Sequence, residues 1–289
     1  MVSAAPHIHG QELTLAYDQR VVSHDLSVEI PHGKITIIVG PNACGKSTLL
    51  RAMSRLLTPE KGVVMLDGKA VNSVGSKEFA RRLGLLPQQS QAPYGITVGD
   101  LAARGRYPHQ KMLQQWSYDD EAAVRRALSA CGVLDLADRP VDELSGGQRQ
   151  RVWISLLLAQ DPPTMLLDEP TTYLDIANQL EVLELVRQLN QDEGRTMVLV
   201  LHDLMLAARY ADHLIVMHDG AIAATGPVPE VLTEQLLAEV FQIRAQISVD
   251  PLTGRPLVVP LMSLRHERTV QRRSAGDQET SGTTPPMPS

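Results

Sequence analysis

Short apolar segments alternate with stretches of helical periodicity along most of the chain. Residues 34–39 are rich in β-branched side chains and predict a buried strand, and residues 47–57 place apolar side chains at helical spacing behind it. Other strands are predicted at 12–17, 26–30, 81–86, 164–167 and 196–201, and other helices at 149–160, 180–189, 204–210 and 229–240. Asp-Gly turns predict hairpins over 62–71 and 215–225. This alternation predicts an α/β protein with an antiparallel β subdomain.

The strand signal fades between residues 90 and 163. Residues 117–131 have helical spacing there, with Ala122, Ala123, Leu128 and Cys131 as candidate buried positions. The stretch therefore predicts a helical subdomain inserted into the α/β domain. Beyond residue 267 the chain is rich in Arg, Ser, Thr, Gly and Pro, and residues 267–289 are expected to form a disordered tail because they offer little apolar surface to bury.

A phosphate-binding loop separates the strand at 34–39 from the helix behind it. The loop fits G-x-x-x-x-G-K-S/T and comprises Gly40, Pro41, Asn42, Ala43, Cys44, Gly45, Lys46, Ser47 and Thr48. Backbone N–H groups in such a loop form a nest for phosphate oxygens, and the helix N-terminus adds positive potential. Lys46 is expected to reach the β- and γ-phosphates, and the Ser47 hydroxyl to ligate Mg²⁺. ATP and Mg²⁺ are therefore the expected ligands.

A second feature of the phosphate-binding type follows Leu144 and comprises Ser145, Gly146, Gly147 and Gln148. Ser145 and Gln148 have the spacing of an S-x-x-Q capping box that begins the helix at 149–160. On spacing alone, simple helix capping is the better interpretation. A helix N-terminus can also receive an anion, and a glycine pair is more than a cap requires.

Polar side chains follow several predicted strands at their carboxyl ends. They are Gln88, Asp168, Glu169 and His202. Such strand ends form one edge of an open α/β sheet, where ligands bind, and the phosphate loop reaches the same edge. A surface charge pair and a packed core histidine are the ordinary alternatives for these residues. Tyr17, which follows the first predicted strand, is equally consistent with a strand-end aromatic and with a side chain that stacks on a base.

Composition excludes several classes of function. Aromatic residues make up 3% of the chain and its formal net charge is −6, which argues against a stacking platform or a basic face for nucleic acid, so no nucleic-acid partner is expected. Residues 1–10 show no secretory signal, and no apolar run approaches the ~18 residues of a membrane span. The two cysteines suggest a reducing cytosol rather than a disulfide framework. At the helix N-terminus, Cys44 is expected to have a lowered pKa and to react with maleimide.

Taken in order, these motifs resemble the ATP-binding subunit of an ABC transporter. The resemblance covers roughly residues 8–260, so an ABC ATP-binding domain over 8–262 is expected, with its helical insertion at about 90–163. The five-residue motif at 144–148 is nearly diagnostic of this family. Residues 104–110 and 170–176 are similar to stretches of ferric-siderophore importers, within the subfamily that also serves haem and cobalamin. Family loops commonly carry Gly or Ser where Ala43 stands.

The resemblance also implies a role for each residue. Tyr17 would stack on adenine, Asp168 would hold Mg²⁺ with Ser47, and Gln88 would sense that metal. Glu169 would polarise the attacking water, with His202 positioning it and the γ-phosphate. Two copies of the chain would face head to tail, with residues 145–148 and Asp175 of one copy acting on the ATP of the other.

The implied function is ATP hydrolysis that drives a membrane permease. The chain would be a peripheral subunit on the cytoplasmic face of the inner membrane, and a periplasmic or surface substrate-binding protein would be an indirect partner. An iron–siderophore chelate is the expected cargo, with haem or cobalamin as alternatives. A soluble ABC ATPase acting on nucleic acid or the ribosome remains a further alternative, disfavoured by a single cassette without cysteine clusters or long heptads. A phosphate-loop kinase would not need residues 145–148.

Overall fold

The α/β core of the protein is built on one six-stranded sheet. The structure is a computed structural model that describes residues 7–17, 20–110 and 116–264. The sheet order is β10-β9-β3-β8-β7-β6, and all neighbours are parallel except β10 against β9. Its strands are β3 (Ile35–Val39), β6 (Leu83–Leu86), β7 (Thr164–Asp168), β8 (Thr196–Val200), β9 (His213–His218) and β10 (Ala221–Pro227). The sheet confirms the predicted α/β class.

A four-stranded antiparallel sheet with the order β2-β1-β4-β5 covers one face of this core. It contains β1 (Ile8–Tyr17), β2 (Arg20–Ile30), β4 (Lys61–Leu66) and β5 (Lys69–Ala70). A separate hairpin, β11 (Ile243–Val249) with β12 (Pro256–Ser263), follows near the end of the described chain. The antiparallel subdomain and the two Asp-Gly hairpins were predicted, whereas the β11–β12 hairpin was not.

The helices lie between and around these sheets. They are α1 (Lys46–Met53), α2 (Ser76–Arg82), α3 (Val98–Ala103), α4 (Tyr118–Ala130), α5 (Gly146–Ala159), α6 (Ile176–Glu193), α7 (Leu204–Tyr210), α8 (Val228–Val231) and α9 (Glu234–Leu236). Short 3₁₀ turns occupy Val71–Ser73, Arg104–His109, Leu134–Leu136 and Val141–Glu143, and a π turn spans Leu237–Phe241. Within the described residues, no helix is long and apolar enough to span a membrane.

Each face of the parallel sheet packs against its own apolar core. Ile37 and Leu199 pack with the helical side of the molecule, whereas Ile38 and Val200 pack with α1 and the antiparallel sheet. Both faces are covered, so the strands are continuous apolar runs rather than alternating ones. The covered sheet leaves its polar residues at the strand ends, where the candidate site lies.

Two details of the predicted elements are wrong. The single closing helix at 229–240 is broken, because Leu232 is extended and the Thr233 side chain caps a new helix by accepting from the N–H of Leu236. Ala122, a candidate buried position, is only partly buried. The expected tail at 267–289 lies outside the described residues.

Candidate active site

A cavity of about 790 Å³ opens at the carboxyl ends of the parallel strands. It brings together residues 42–48 of the phosphate loop and four of the other predicted site residues, namely Tyr17, Gln88, Glu169 and His202. Sequence reasoning missed five further lining residues, Arg20, Val21, Val22, Asp219 and Gly220. Gly220 was visible only as a hairpin turn, but its N–H donates to the carbonyl of Cys44 over 3.2 Å, so this turn braces the loop.

Backbone geometry shapes the phosphate loop as a nest. Gly45 has φ = 104° directly before α1, in a conformation that glycine adopts without a Cβ penalty. A Cβ on Gly40 would lie 2.1 Å from the carbonyl oxygen of Met217, so only glycine fits beside that strand. Ala43 has φ = 61°. Alanine therefore occupies a left-handed backbone conformation, which favours glycine.

Lys46 is buried, and its ammonium group lies inside the loop. Its Nζ donates to the carbonyl oxygens of Gly40 and Pro41, each over 2.9 Å. Those carbonyls hold a positive charge where phosphate oxygens would arrive. The cavity therefore presents a cation and the N-terminus of α1 to the same anion.

The environment of Cys44 contradicts the expectation of a reactive thiol. Its side chain is 4% exposed and belongs to the apolar core beneath the antiparallel sheet. Burial raises the pKa of Cys44, and the nearby Lys46 only partly offsets that effect. The thiolate, which is the reactive form, is therefore disfavoured. The positive potential of the helix N-terminus does not give Cys44 a lowered pKa, because its side chain points into the apolar core.

Ser47 and Asp168 form the oxygen pair expected to ligate a metal. The Ser47 hydroxyl donates to Oδ1 of Asp168 over 2.9 Å, and the Asp168 carboxyl is buried at the end of β7. Burial raises the pKa of Asp168 above its ordinary value, although the hydrogen bond from Ser47 opposes this. Hard oxygen donors and a buried negative charge suit Mg²⁺. The described residues contain no cluster of three or more acidic, His or Cys side chains that could hold a metal ion.

Glu169 is the most highly connected carboxylate of the cavity. Gln88 Nε2 donates to its Oε2 over 2.6 Å, Thr172 Oγ1 donates to the same oxygen over 3.1 Å, and His202 Nε2 lies 2.5 Å from Oε1. The Glu169 backbone has φ = 53°, a conformation that costs a non-glycine residue free energy and is concentrated at functional sites. Three separate segments of the chain therefore meet on one carboxylate beside the phosphate loop.

Tyr17 presents its ring to the cavity at the end of β1. The side chain is 40% exposed, and its hydroxyl accepts a hydrogen bond from Arg51 Nη1 over 3.0 Å. The hydroxyl is anchored on α1, while the ring face stays available. This arrangement is compatible with stacking on a base.

Residues 145–148 and Asp175 do not line the cavity, within the part of the chain that the structure describes. Ser145 accepts from the N–H of Gln148, and Gln148 Oε1 accepts from the N–H of Ser145, so the capping box is confirmed. Asp175 caps α6 by accepting from the N–H of Asn178. Each of these helix starts is exposed at Ser145 and Asp175.

The two glycines of this motif, Gly146 and Gly147, differ in how closely other residues pack against them. A Cβ on Gly147 would lie 2.2 Å from Oδ1 of Asn178, so close packing against α6 explains that glycine. Gly146 is exposed, and a Cβ there would meet only a Leu174 methyl at 3.9 Å. The fold of one chain therefore gives no reason for glycine at position 146.

Similarity to known proteins points in the same direction as this geometry. The pattern of the family described as ABC transporter matches residues 23–172. The chain is 51% identical over 261 residues to the ferric enterobactin transport ATP-binding protein FepC of Escherichia coli (strain K12), covering 90% of this chain and 96% of that protein. It is 52% identical over 253 residues to the petrobactin import ATP-binding protein FpuD of Bacillus anthracis, covering 88% and 93%. A dimeric structure of a bacterial ABC transporter cassette shares its fold with a TM-score of 0.68 at 26% identity, covering 76% of this chain and 98% of that one.

Proposed function

This chain belongs to the ABC transporter family and is an ATPase, and we propose that it energises the import of an iron–siderophore chelate through a membrane permease. The observation that carries the proposal is the Glu169 carboxylate, which meets Gln88 and His202 at the rim of the phosphate loop. The names of the relatives support the choice of cargo, because one is a ferric enterobactin transport ATP-binding protein and the other a petrobactin import ATP-binding protein.

In the proposed site, ATP lies across the loop with its base on Tyr17. Lys46 would exchange the carbonyls of Gly40 and Pro41 for phosphate oxygens, which bind an ammonium more strongly because they are charged. Asn42, Ala43, Cys44, Gly45, Ser47 and Thr48 would supply backbone N–H groups around the phosphates. We assign Mg²⁺ to Ser47, Asp168 and Gln88 because oxygen atoms from these side chains lie at or beside the loop. When bound, Mg²⁺ neutralises charge on the phosphate oxygens.

Glu169 is the proposed general base. Its carboxylate is held by donors on both oxygens, so it is oriented before a nucleotide arrives. Exchange of the Gln88 contact for a water would free Oε2 to accept a proton from that water. His202, on the other oxygen, would keep the carboxylate aligned and reach the γ-phosphate. Catalysis then rests on positioning and electrostatic stabilisation.

Two copies of the chain are proposed to complete each site. Residues 145–148 of one copy would contact the γ-phosphate held by the other, and Asp175 would contact the opposite subunit. Gly146 supports this arrangement, because its missing Cβ serves no packing within one chain and leaves room for a close approach. Tyr173 and Ile176, which flank Asp175, are 94% and 77% exposed and would be covered in such a dimer.

The proposed dimer works as a peripheral subunit on the cytoplasmic face of the membrane, bound to permease subunits. A substrate-binding protein outside that membrane would deliver the chelate. ATP closes the dimer and hydrolysis reopens it, and this cycle drives the permease.

An uptake experiment in a deletion strain tests the proposal. Loss of this chain is expected to abolish energised uptake of a ferric siderophore while capture by the binding protein stays normal. Expression of the wild-type chain should restore uptake, whereas Glu169→Gln should not. Siderophore uptake that persists after deletion, with uptake of haem or cobalamin lost instead, would reassign the cargo. Normal uptake of all three would refute the import function.

A further inference from the structure

The 3₁₀ turn Arg104–His109 lies in the segment that resembles siderophore importers, and the proposed function leaves it without a role. Arg106 in this turn is 8% exposed, which is unusual for a charged side chain. Its Nε donates to Oδ1 of Asp120 over 2.9 Å, and its Nη1 donates to the carbonyl oxygen of Ala159 over 2.8 Å. One guanidinium therefore joins the first turn of α4 to the last turn of α5.

The turn is fastened to the end of α5 at other points as well. His109 Nε2 lies 2.8 Å from the carbonyl oxygen of Gln160, the C-cap of α5. A Cβ on Gly105 would lie 2.2 Å from the carbonyl oxygen of Leu156, so the turn approaches α5 as closely as a glycine allows. Arg106 and His109 thus serve carbonyl groups that the end of a helix leaves without partners. A cation there also complements the negative end of the helix dipole.

The same helix end is attached to the sheet. Gln160 Nε2 donates to the carbonyl oxygens of Ala80 and Leu83, where α2 passes into β6. Arg106 therefore sits at a junction of the inserted helices with the strand that leads to Gln88. Asp120 is fastened too, because the Ser117 hydroxyl donates to its Oδ2 over 2.7 Å as part of the cap of α4.

The other end of α5 carries Ser145 and the glycine pair. The helix has 14 residues, so at 1.5 Å per residue it is about 21 Å long, and a tilt of about 3° at one end moves the other by about 1 Å. A misplacement of about 1 Å far from the chemistry can cost on the order of 10² in rate. The orientation of α5 at its C-terminal end therefore decides where Ser145 meets a second copy.

We infer that Arg106 is a positioning residue for the reaction: it orients α5 so that residues 145–148 fit the ATP held by a second copy of the chain. The inference rests on the proposed function, in which those residues act across a dimer. A guanidinium suits the task because its planar fork serves two acceptors in fixed directions. Lysine keeps the charge but has no such fork.

The experiment measures ATP-dependent dimerisation by analytical ultracentrifugation in full-length Glu169→Gln protein. Adding Arg106→Lys is expected to weaken the dimer by at least about tenfold, while MgATP affinity of the monomer stays within about twofold, because the phosphate loop is untouched. Val124→Ala is the matched control: Val124 is a buried apolar residue of α4, and its truncation loosens the same subdomain while both hydrogen-bond acceptors of Arg106 stay in place. It should leave the dimer close to that of the parent.

A dimer that forms as tightly with Arg106→Lys as without it would overturn the positioning role. So would an equal loss with Val124→Ala, since loosening alone would then explain the effect. If Arg106→Lys does not fold, the double variant Arg106→Gln with Asp120→Asn replaces it, because it leaves no buried charge unpaired. Its dimer is expected to be weakened in the same way, and a tight dimer would again overturn the inference. Failure of the Glu169→Gln parent to dimerise would instead refute the two-copy site of the proposed function, and this inference with it.

Discussion

Gln88 Nε2 and Glu169 Oε2 are joined by a hydrogen bond of 2.6 Å, between side chains 81 positions apart in the sequence. The bond occupies the carboxylate oxygen that the proposed mechanism needs for a water. It couples the segment after β6, which leads into the inserted helices, to the candidate general base. A nucleotide that displaces Gln88 from Glu169 would therefore alter the position of this segment and the hydrogen bonding of Glu169 together.

Glu169→Gln tests the general base directly. The amide keeps the shape of the side chain but cannot accept a proton, so ATP turnover is expected to fall by about 10²–10⁴ while MgATP binding is retained. The variant should elute as a dimer in size-exclusion chromatography with ATP and as a monomer with ADP. Ser145→Arg added to it should prevent that dimer. Glu78→Gln, which removes an exposed carboxylate paired with Arg82, is the control and should turn over ATP normally.

Asp168→Asn separates metal binding from stability. Burial raises the pKa of Asp168 above its ordinary value of 3.8. At pH values between 3.8 and the raised pKa, the folded protein therefore binds more protons than the unfolded chain. Stability therefore falls as pH rises through that window, and the buried charge is a cost at neutral pH. Without Mg²⁺ the variant should melt no lower than wild type, yet it should need at least about tenfold more Mg²⁺ for turnover. A variant with unchanged Mg²⁺ dependence would contradict the metal assignment.

His7 is expected to make the protein sensitive to acid. Its ring lies between Asp67, at 2.7 Å from Nδ1, and the hydroxyl of Thr164, with His32 against its edge. Burial lowers the pKa of His7 below its ordinary value of 6.5, although Asp67 opposes the shift. Between those two pKa values the unfolded chain binds more protons, so the free energy of unfolding falls as pH drops below about 6.5.

Thermal unfolding across pH checks this prediction. His7→Gln should reduce the loss of stability below about pH 6.5 and leave the contribution of His213, whose pKa burial also lowers. His24→Gln changes an exposed histidine and should preserve the wild-type pH dependence. An equal slope in wild type and His7→Gln would show that His7 does not carry the effect.

Neither cysteine is expected to react with maleimide in the native protein. Cys44 and Cys131 are both buried, and burial raises the pKa of Cys131 to about 12. Mass spectrometry should find little modification of the folded chain and two modified thiols in guanidinium chloride. Rapid native labelling of Cys44 that MgATP prevents would restore the view of an exposed thiol in the loop.

Ala43→Gly is expected to stabilise the protein. The left-handed backbone at φ = 61° costs alanine more than glycine, and the gain exceeds the added entropy of a glycine in the unfolded chain. The net rise in the free energy of unfolding should be roughly 0.5–1 kcal/mol. Ala122→Gly, inside helix α4, should instead lower it by about 1 kcal/mol. Denaturant unfolding measures both, and a destabilised Ala43→Gly would show that the loop carries no such strain.

Local patterns predicted most of the elements because they depend on neighbouring residues. The run at 34–39 is β-branched and apolar, so it forms a strand wherever both its faces are covered. The capping box at Ser145 and the Asp-Gly turns at 67–68 and 219–220 depend on hydrogen bonds and backbone angles within a few residues. These features, and the phosphate loop between strand and helix, could therefore be predicted from the sequence without knowledge of the fold.

Contacts between distant elements were decided by the tertiary structure. The sheet order β3-β8-β7-β6 brings Glu169 between Gln88 and His202, and strand order depends on crossovers that no local pattern specifies. The direction of the Cys44 side chain and the brace from Gly220 likewise depend on what packs beside the loop. Local patterns therefore establish which residue types stand at the strand ends. The fold decided which of them meet, because burial and hydrogen bonding act between segments far apart in the chain.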